Sequence, residues 1–460
     1  MATPTGPKPA DPLALLRTRS YVALLVLAAI LGVPIAALAY FFLKLVGVIQ
    51  NAVFTTLPSG LGFHSEPLWW PLLPLAVAGL LVALTIRYLP GKGGHSPADG
   101  FHTGGGPITP AEIPGVFLAA LATLSLGAVL GPEAPLIALG AGLAVLAVHF
   151  SKRDMPAQTL AVVGAAGSFA AIATLFGSPL PAAFLLMEVV GVGGAMLDLA
   201  LLPGLLAAGI GALIFVGLNA WTGFGNFSLA VPNLPKYSHP DLAQFGWALL
   251  MAPVAAVLGV AIRRIALAIR PHVEPRMVVL TPLVGLAVAG LAIAFAAGTG
   301  KSSSEVLFSG QSALGPFISQ AGSYSVGALL LLLACKGLAY GASLSSFRGG
   351  PIFPAMFIGA VGGAAASHLP GLPLVPAVAI GIGAMAVAML RLPLTSVLLA
   401  TLLLGSDGLA VTPLVIVAVV ISYVISVRLT PPATQAPAAE SAPSPAPAQT
   451  SPAHGTVPPA

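Results

Sequence analysis

The sequence predicts an all-α integral membrane protein, and its hydrophobicity and scarcity of charge are the first two observations behind this. Hydrophobic residues make up 57% of the 460 residues, and charged residues only 7%, against about 25% in an ordinary soluble domain. So few charges could not cover the surface of a soluble protein of this length. The composition therefore excludes soluble enzymes, nucleic-acid-binding proteins and disordered scaffolds.

The third observation is the abundance of glycine and proline. The chain has 53 glycines and 44 prolines, well above average usage. Broken or re-entrant helices are tolerated in a membrane only inside protein or along a watery cavity, which is typical of transport proteins. Cys335 is the only cysteine, so an intramolecular disulfide is excluded. No H-x-x-H or H-E-x-x-H spacing occurs, and we expect neither a metal nor another cofactor.

Apolar segments and flanking charges predict several membrane crossings. The first long segment spans 21–50 and the second 71–89, and basic residues lie before the first and after the second. The positive-inside rule then places both termini in the cytoplasm of a multi-pass protein of the cell membrane. This rule also accounts for the net charge of +5, so no nucleic-acid partner is needed. Further apolar stretches occupy 113–130, 135–150, 157–175, 179–192, 201–221, 245–268, 277–297, 326–344, 352–369, 375–390, 393–404 and 411–427.

Several of these stretches are shorter than the roughly 20 residues that a full crossing needs, and an internal repeat relates two of them. The decapeptide GPEAPLIALG starts at Gly131, and GPIFPAMFIG starts at Gly350. At one constant offset, four positions are identical: Gly131, Pro132, Pro135 and Gly140 match Gly350, Pro351, Pro354 and Gly359. Short helices that begin at these glycines and prolines should meet near the middle of the membrane.

The repeat divides the chain into two halves. We predict a membrane domain over 13–430, with a first half at about 21–192 and a second at about 245–428, joined by a linking region. Residues 1–12 are Pro-rich, and residues 431–460 are rich in Pro, Ala, Ser and Thr. Both segments are predicted to be disordered. Repeated halves are common in transporters and absent from most membrane enzymes.

Glu133 lies where the first repeated segment should start a helix. A helix N-terminus presents unpaired N–H groups and the positive end of the helix dipole, and so favours an anion. A carboxylate at this point can occupy the position of a passing halide and move away when it is protonated. We predict that Glu133 gates an anion pathway, as intramembrane acids are usually functional. The alternative is that Glu133 only caps its helix.

The second repeated segment should supply the opposing helix start. The backbone N–H groups of Ile352 and Phe353 could donate to the same anion. Such a site would bind a halide with backbone donors and without a fixed cation. The alternative is a Gly/Pro kink that serves packing alone, and the repeat favours the functional interpretation.

These motifs resemble those of the CLC family of chloride channels and proton-coupled chloride transporters. The segment 131–135 is similar to its G-K/R-E-G-P signature, and 350–354 resembles its G-x-F-x-P signature. Phe176-Gly177-Ser178-Pro179-Leu180, with Glu188 beyond it, resembles F-N-A-P-L…E, and 390–395 resembles L-R-A-P-L-T. The matches occur in family order and cover most of the chain from about 21 to 428.

The resemblance implies a multi-helix bundle of two inverted repeats and a homodimer in the lipid bilayer. It also implies one pathway per subunit for chloride or a similar halide, and Glu133 as the external gating glutamate. The anion-binding residues expected from the matched segments are Gly131, Ala134, Gly350, Ile352, Phe353 and, from the G-S-G-I-P segment, Ser96.

The sequence also departs from the family pattern. Aligning the prolines puts Gly94 where the coordinating serine of G-S-G-I-P belongs, with Ser96 displaced by two. Pro351 has no N–H to donate. Val189 occupies the position of the inner proton-handling glutamate, and the pore-lining tyrosine of the last helix has no match, since Tyr423 lies in the preceding span.

These departures favour a gated channel that conducts passively. The alternative is a proton-coupled Cl⁻/H⁺ antiporter, for which Glu188 is the nearest candidate in the proton pathway; it could equally be a structural acid. Lys336 could raise the potential of an inner vestibule or pair with an acid. A distant alternative of another class is an intramembrane serine protease using Ser343 and His368, but a lone G-x-S is a weak signal.

Overall fold

Helices joined by turns and irregular segments make up the part of the chain that the computed structural model describes, with one isolated β-bridge. This part comprises residues 16–100, 108–150, 156–190, 195–223, 231, 234, 236–237, 239–405 and 408–430. The segments 1–12 and 431–460, predicted to be disordered, lie outside it. The helices are α1 (Arg19–Asn51), α2 (Leu57–Gly60), α3 (Leu72–Tyr88), α4 (Ile113–Ser125), α5 (Glu133–Phe150), α6 (Ala157–Phe176), α7 (Pro179–Val190), α8 (Ala195–Thr222), α9 (Leu242–Val273), α10 (Met277–Thr299), α11 (Leu314–Ser319), α12 (Val326–Ser346), α13 (Ile352–Ala366), α14 (Leu374–Leu390), α15 (Pro393–Leu403) and α16 (Gly408–Leu429).

Helices of two lengths make up the bundle. Within the described residues, seven helical segments are long and apolar enough to cross a membrane: Arg19–Gly60, Glu133–Phe150, Thr159–Phe176, Leu201–Thr222, Leu242–Thr299, Val326–Ser346 and Gly408–Leu429. Shorter apolar helices lie between them, among them α3, α7, α13 and α15. The predicted all-α membrane protein with short, broken helices is confirmed.

Helix breaks occur at equivalent points of the two halves. The helix α6 ends at Gly177, whose φ of 62° is left-handed, and α7 begins two residues later at Pro179. The helix α14 ends at Arg391, with a φ of 59°, and α15 begins two residues later at Pro393. A left-handed residue after a helix lets backbone N–H groups bond the free carbonyls of the last turn. Proline can then begin the next helix. The two Pro-Leu pairs, Pro179-Leu180 and Pro393-Leu394, are therefore equivalent helix starts.

The apolar stretch 113–130 differs from its prediction, because its helix is shorter. The helix α4 ends at Ser125, and Gly127 has a φ of 107°, which a helix cannot contain. The residues up to Gly131 then run without regular secondary structure to the start of α5. This turn brings the first repeated segment into the middle of the bundle.

Each half contains a close crossing of two helices, and the two crossings are equivalent. A Cβ atom added to Gly140 of α5 would lie 2.5 Å from the carbonyl oxygen of Gly167 in α6. A Cβ on Gly359 of α13 would overlap the carbonyl of Gly381 in α14 in the same way. Small residues let helix backbones approach closely in a membrane, where packing replaces the hydrophobic effect between helices. The same kind of close helix pair therefore occurs in each half.

The most buried part of the protein lies at the second of these pairs. Every residue of α14 from Val375 to Leu390 is buried, as is every residue of α13 from Ile352 to Val361. The helix α8, which lies in the segment assigned to the linking region, packs against α1 and α6. The helix starts that the sequence singles out are thus surrounded by protein.

Candidate functional site

The two repeated segments are joined directly by their backbones. The N–H of Gly131 donates to the carbonyl of Gly350 at 2.7 Å, and the N–H of Gly350 donates to the carbonyl of Gly131 at 2.6 Å. The pair forms an isolated antiparallel bridge. Because each glycine lies two residues before a helix, the starts of α5 and α13 face each other at this point.

The carboxylate of Glu133 lies between these helix starts and is fully buried, with 0% of the residue exposed. Its Oε1 accepts a hydrogen bond from the N–H of Phe353 at 2.9 Å. The N–H groups of Ile352 and of Glu133 itself also act on the carboxylate. Its Oε2 is buried without a hydrogen-bond partner. The side chain of the first half thus binds the backbone donors of the second.

The absence of side chains at two glycines makes room for this carboxylate. A Cβ atom added to Gly131 or to Gly350 would overlap the carboxylate oxygens of Glu133. The Cβ on Gly350 would also lie 3.0 Å from the backbone nitrogen of Ala134. The slot between the two segments therefore fits one small anionic group. Five of the residues predicted to bind the anion lie around it with Glu133: Gly131, Ala134, Gly350, Ile352 and Phe353.

The hydroxyl of Ser96 makes no hydrogen bond to the carboxylate of Glu133. It precedes a short 3-10 turn, Pro97–Asp99, and its hydroxyl is buried without a partner. Gly94 stands where the family pattern has a serine, and a Cβ atom added to it would contact Val116. The structure therefore leaves the anion-binding role predicted for Ser96 without a contact at Glu133.

Three polar side chains of α12 face the irregular segments around the site, and sequence reasoning did not group them. Lys336, Tyr340 and Ser343 are spaced four and three residues apart, which places them on one helix face, and all three are fully buried. The hydroxyl of Tyr340 donates to the carbonyl of Pro351 at 2.9 Å, and Ser343 accepts from the N–H of Val129 at 3.1 Å. The sequence signal that could have grouped them is a row of polar residues at helical spacing within an apolar segment.

This stripe has a structural reason. Backbone groups outside helices cannot be left unpaired in a membrane, and side chains of neighbouring helices satisfy them. Tyr340 uses its only hydroxyl proton for Pro351. It therefore does not replace the tyrosine hydroxyl that the family pattern would place in the pathway.

Basic side chains gather on the side of the loop that contains Lys92. The Nε of Arg348 donates to the carbonyl of Lys92 at 3.3 Å, and Arg263 donates to the carbonyl of Asp99 at 3.4 Å. Arg270 pairs with the carboxylate of Asp99. Burial, and then the charge of Arg270, lower the pKa of Arg348 to about 10, so Arg348 is still charged at neutral pH. Its guanidinium is turned toward the loop that contains Lys92.

Glu188 of α7 binds the start of α15. One carboxylate oxygen accepts from the N–H of Leu394 at 2.8 Å, and the other accepts from the N–H and the hydroxyl of Thr395 at 2.7 and 2.6 Å. A carboxylate on the free N–H groups of a helix start is favoured by charge and by hydrogen bonding. The contacts of Glu188 are those of a structural acid, and Val189 beside it cannot carry a proton.

The serine and the histidine of the protease alternative bind other partners and not each other. Ser343 accepts from Val129, and the ring of His368 bonds the carbonyl of Ala364 in the last turn of α13. No hydrogen bond joins the serine to the histidine, so the arrangement of a catalytic pair is missing. Within the described residues, no group of three His, Cys, Asp or Glu could hold a metal ion.

Inverted helical halves that meet at two helix starts define a membrane transport protein. The chain belongs to the CLC family: the family model described as voltage gated chloride channel matches residues 76–427, which include both repeated segments. Members of this family transport anions across membranes. The assignment confirms the resemblance seen in the sequence.

Comparison with individual proteins agrees with this. The protein YfeO of Escherichia coli O7:K1 (strain IAI39 / ExPEC) is 29% identical over 348 residues, which cover 75% of this chain and 78% of YfeO. The fold is similar to that of a slow cyanobacterial Cl⁻/H⁺ antiporter, with a TM-score of 0.70, 18% identity, and coverage of 88% of this chain and 94% of that one. It is also similar to a CLC-type fluoride/proton antiporter, with a TM-score of 0.66, 20% identity, and coverage of 88% and 95%. These similarities confirm the predicted fold.

Proposed function

We propose that this protein conducts chloride or a similar small halide through a pathway that Glu133 gates. The observation that carries the proposal is the position of the Glu133 carboxylate. It is an anion held by backbone N–H donors at the start of α13, in a slot between Gly131 and Gly350. A permeating halide would use the same donors once the carboxylate leaves.

The chemistry of the slot supports an anion as the substrate. Helix starts present N–H donors and the positive end of the helix dipole, and they bind anions without a full positive charge. Phe353 supplies such a donor, and the guanidinium of Arg348 is turned toward Lys92. A site without a bound cation holds a halide weakly enough to release it, which conduction requires.

The gating role follows from the second carboxylate oxygen. The Oε2 of Glu133 is buried and unpaired, which is costly for a charged group. Protonation removes that cost and weakens the bond to Phe353, and a halide that competes for the same donor displaces the side chain. Both events open the slot, so we expect flux to rise with external acidity and with external chloride.

Passive conduction is the mechanism that we favour over coupled exchange. Coupling to protons needs a second acid that is reachable from the opposite side. Glu188 uses both carboxylate oxygens at the start of α15, and Val189 follows it. The proton-coupled antiporter remains the alternative that an experiment must exclude.

The orientation and assembly that we propose follow the sequence. The basic residues Lys92, Arg263 and Arg348 share one side of the protein, which the positive-inside rule assigns to the cytoplasm together with both termini. We also propose a homodimer with one pathway in each subunit. Crosslinking of the protein in cell membranes, resolved by size, tests the dimer.

The decisive experiment is the reversal potential of the purified protein in a lipid bilayer under a chloride gradient. A channel reverses at the Nernst potential of chloride, with or without a proton gradient. Glu133→Gln should conduct without the pH dependence of the wild type. Glu112→Gln is the matched control, because Glu112 only caps a helix start at the surface, where glutamine also serves.

Two results would overturn the proposal. A reversal potential that shifts with the proton gradient would show coupled exchange. Chloride flux that is the same in Glu133→Gln and the wild type at every pH would remove Glu133 from the gate.

A further inference from the structure

Lys336 is a fully buried lysine in the middle of α12, and its ammonium group faces four consecutive backbone carbonyls. The carbonyl oxygens of residues 305–308 lie 2.8, 3.1, 3.1 and 3.4 Å from its Nζ. The ring of Phe357 lies on another side, with its centroid 4.4 Å from Nζ. Neither role considered from the sequence, an ion pair or a vestibule charge, describes this arrangement.

Every group that the structure places against the Nζ atom accepts a hydrogen bond or attracts a cation. Carbonyl oxygens accept, and the face of an aromatic ring attracts positive charge. A neutral amine would turn its lone pair toward one of these groups. The surroundings therefore fit an ammonium ion, and a shell of carbonyls is also what replaces water around monovalent metal cations.

The four carbonyls converge because the backbone turns sharply at residues 305–308. Phe308 has a φ of 58°, a left-handed conformation that is uncommon for a bulky residue. Val306 and Leu307 are fully buried, so water does not satisfy their carbonyls. Without a cation, these oxygens would be buried and unpaired, which is unfavourable for a polar group.

The turn is connected to the Glu133 site through the backbone. The N–H of Phe308 donates to the carbonyl of Gly127 at 3.2 Å, and the Phe308 ring packs edge-on against Phe54 with centroids 4.9 Å apart. Gly127 lies in the irregular stretch between the end of α4 and Gly131. A change at the turn therefore reaches the segment that positions the gate.

The carboxylate of Glu305 and the ammonium of Lys301 each have another direct partner, although the charges of Glu305 and Lys336 also attract each other. Oε1 of Glu305 accepts from the hydroxyl of Tyr324 at 2.7 Å, and Lys301 lies over the Tyr324 ring with its Nζ 3.7 Å from the centroid. Glu305 thus gives its backbone carbonyl, and not a carboxylate hydrogen bond, to Lys336.

We propose that residues 305–308 form a monovalent-cation site, which the chain fills with its own Lys336 ammonium and uses to hold the segment leading to the gate. The ligand class that fits the site in place of this ammonium is a small monovalent cation, either an alkylammonium ion or K⁺. The effect on the gate rests on the proposed function, whereas the cation site does not.

The test uses the full-length protein with Lys336→Ala, which removes the ammonium and the space-filling stem. Its thermal unfolding temperature should fall by several degrees. Methylammonium chloride should restore at least half of this loss, because it has N–H donors for the carbonyls. Tetramethylammonium chloride at the same concentration supplies the same charge and the same anion but no N–H group, and should not. Potassium chloride tests the metal cation in a third sample.

Two controls separate the site from general effects of salt. The wild type should show no difference between methylammonium and tetramethylammonium. Lys301→Ala removes a neighbouring ammonium that lies on Tyr324 and does not reach residues 305–308, so it should not discriminate between the two cations either. If neither methylammonium nor potassium stabilises Lys336→Ala beyond tetramethylammonium, the proposal is wrong.

A second pair of variants applies if Lys336→Ala does not fold. Lys336→Gln offers two N–H donors, and Lys336→Met has none but keeps the length of the stem. The unfolding temperatures should fall in the order wild type, Gln, Met. A Met variant as stable as the wild type would show that the carbonyls need no cation. A wild type that conducts no chloride would contradict only the proposed function, because cation rescue is measured without transport.

Discussion

The two repeated segments share a backbone and differ in one side chain. Gly131 and Gly350 bond each other reciprocally, and each precedes a helix start by two residues. The third position is Glu133 in the first segment and Ile352 in the second. One half therefore brings the negative charge, and the other brings the N–H donors that bind it.

The repeat provides two matching backbone segments, and a single residue, Glu133, provides the charge between them. Two carboxylates facing each other in this slot would repel, and one would have to stay protonated. With no carboxylate, the donors would stay free for any anion. Under the proposed function, a single acid between the two helix starts closes the slot and opens it when the carboxylate leaves.

The largest expected effect comes from adding a side chain to the second segment. Gly350→Ala places a Cβ atom where the Glu133 carboxylate lies, so the carboxylate must leave its donors. We expect chloride efflux from liposomes to lose its pH dependence, with a rise of about tenfold at neutral pH, equivalent to about 1.4 kcal/mol in the barrier. Gly362→Ala in the same helix is the control, as a Cβ there meets nothing within 4 Å.

An unchanged pH profile in Gly350→Ala would mean that the carboxylate is not confined by the glycines. The first-half counterpart, Gly131→Ala, should open the pathway as well, since its Cβ overlaps the same carboxylate. A difference between the two variants would show which segment can shift to admit the methyl group.

The helix crossings test whether the halves are equivalent in stability. Gly140→Ala and Gly359→Ala each force a methyl group against the backbone of the neighbouring helix. We expect each to destabilise the protein by about 1–3 kcal/mol, the usual cost of overpacking. Denaturant unfolding of the purified protein measures this. Gly209→Ala, where a Cβ meets nothing within 4 Å, should have little effect, and a crossing variant as stable as Gly209→Ala would contradict the close approach.

Glu188→Gln separates a structural acid from a proton carrier. One of the backbone N–H groups at Leu394 and Thr395 loses its acceptor, because glutamine has one oxygen and not two. We expect a loss of about 1–2 kcal/mol in stability and no change in the reversal potential. Thr395→Val removes only the hydroxyl bond and should cost less. A reversal potential that moves in Glu188→Gln alone would assign Glu188 to proton transport.

The smallest effect is expected at Glu305, which lies outside both repeated segments. Burial raises the pKa of this carboxyl, while the Tyr324 hydroxyl and the charges of Lys301 and Lys336 lower it. Because its folded pKa is raised, its contribution to stability is present at low pH and is lost as the pH rises through that pKa. Glu305→Gln should flatten this loss as the pH rises above the ordinary titration range of a glutamate carboxyl.

The difference from the wild type should stay below about 0.5 kcal/mol, since solvent screens this partly exposed group. The unfolding temperature as a function of pH measures it. A steeper fall with rising pH in Glu305→Gln would show that ionisation of the carboxyl stabilises the protein.

The sequence predicted the fold and the central segments well, because glycine and proline act locally. The proline at 135 matches the one at 354, and both lie in the first turn of a helix, as proline requires. The convergence of the two helix starts was predicted from the repeat, but the direct bonds between Gly131 and Gly350 were not. The length of α4 did not, because the apolar pattern continues through Gly127 while its left-handed φ breaks the helix.

Contacts between distant segments could not be predicted in this way. Nothing in the sequence near Glu188 shows that it faces the start of α15, some 206 residues later. The carbonyls that surround Lys336 belong to backbone and carry no sequence signature. Residue types identify charged groups, but their partners depend on how the irregular segments fold against the helices.

The reciprocal bonds between Gly131 and Gly350 restrict how the protein can change shape. Tilting one half of the bundle against the other would pull both bonds apart at once, in surroundings without water to replace them. These bonds therefore restrain the centre of the molecule, and under the proposed function only rotation of the Glu133 carboxylate about its own side-chain bonds is left to open the slot.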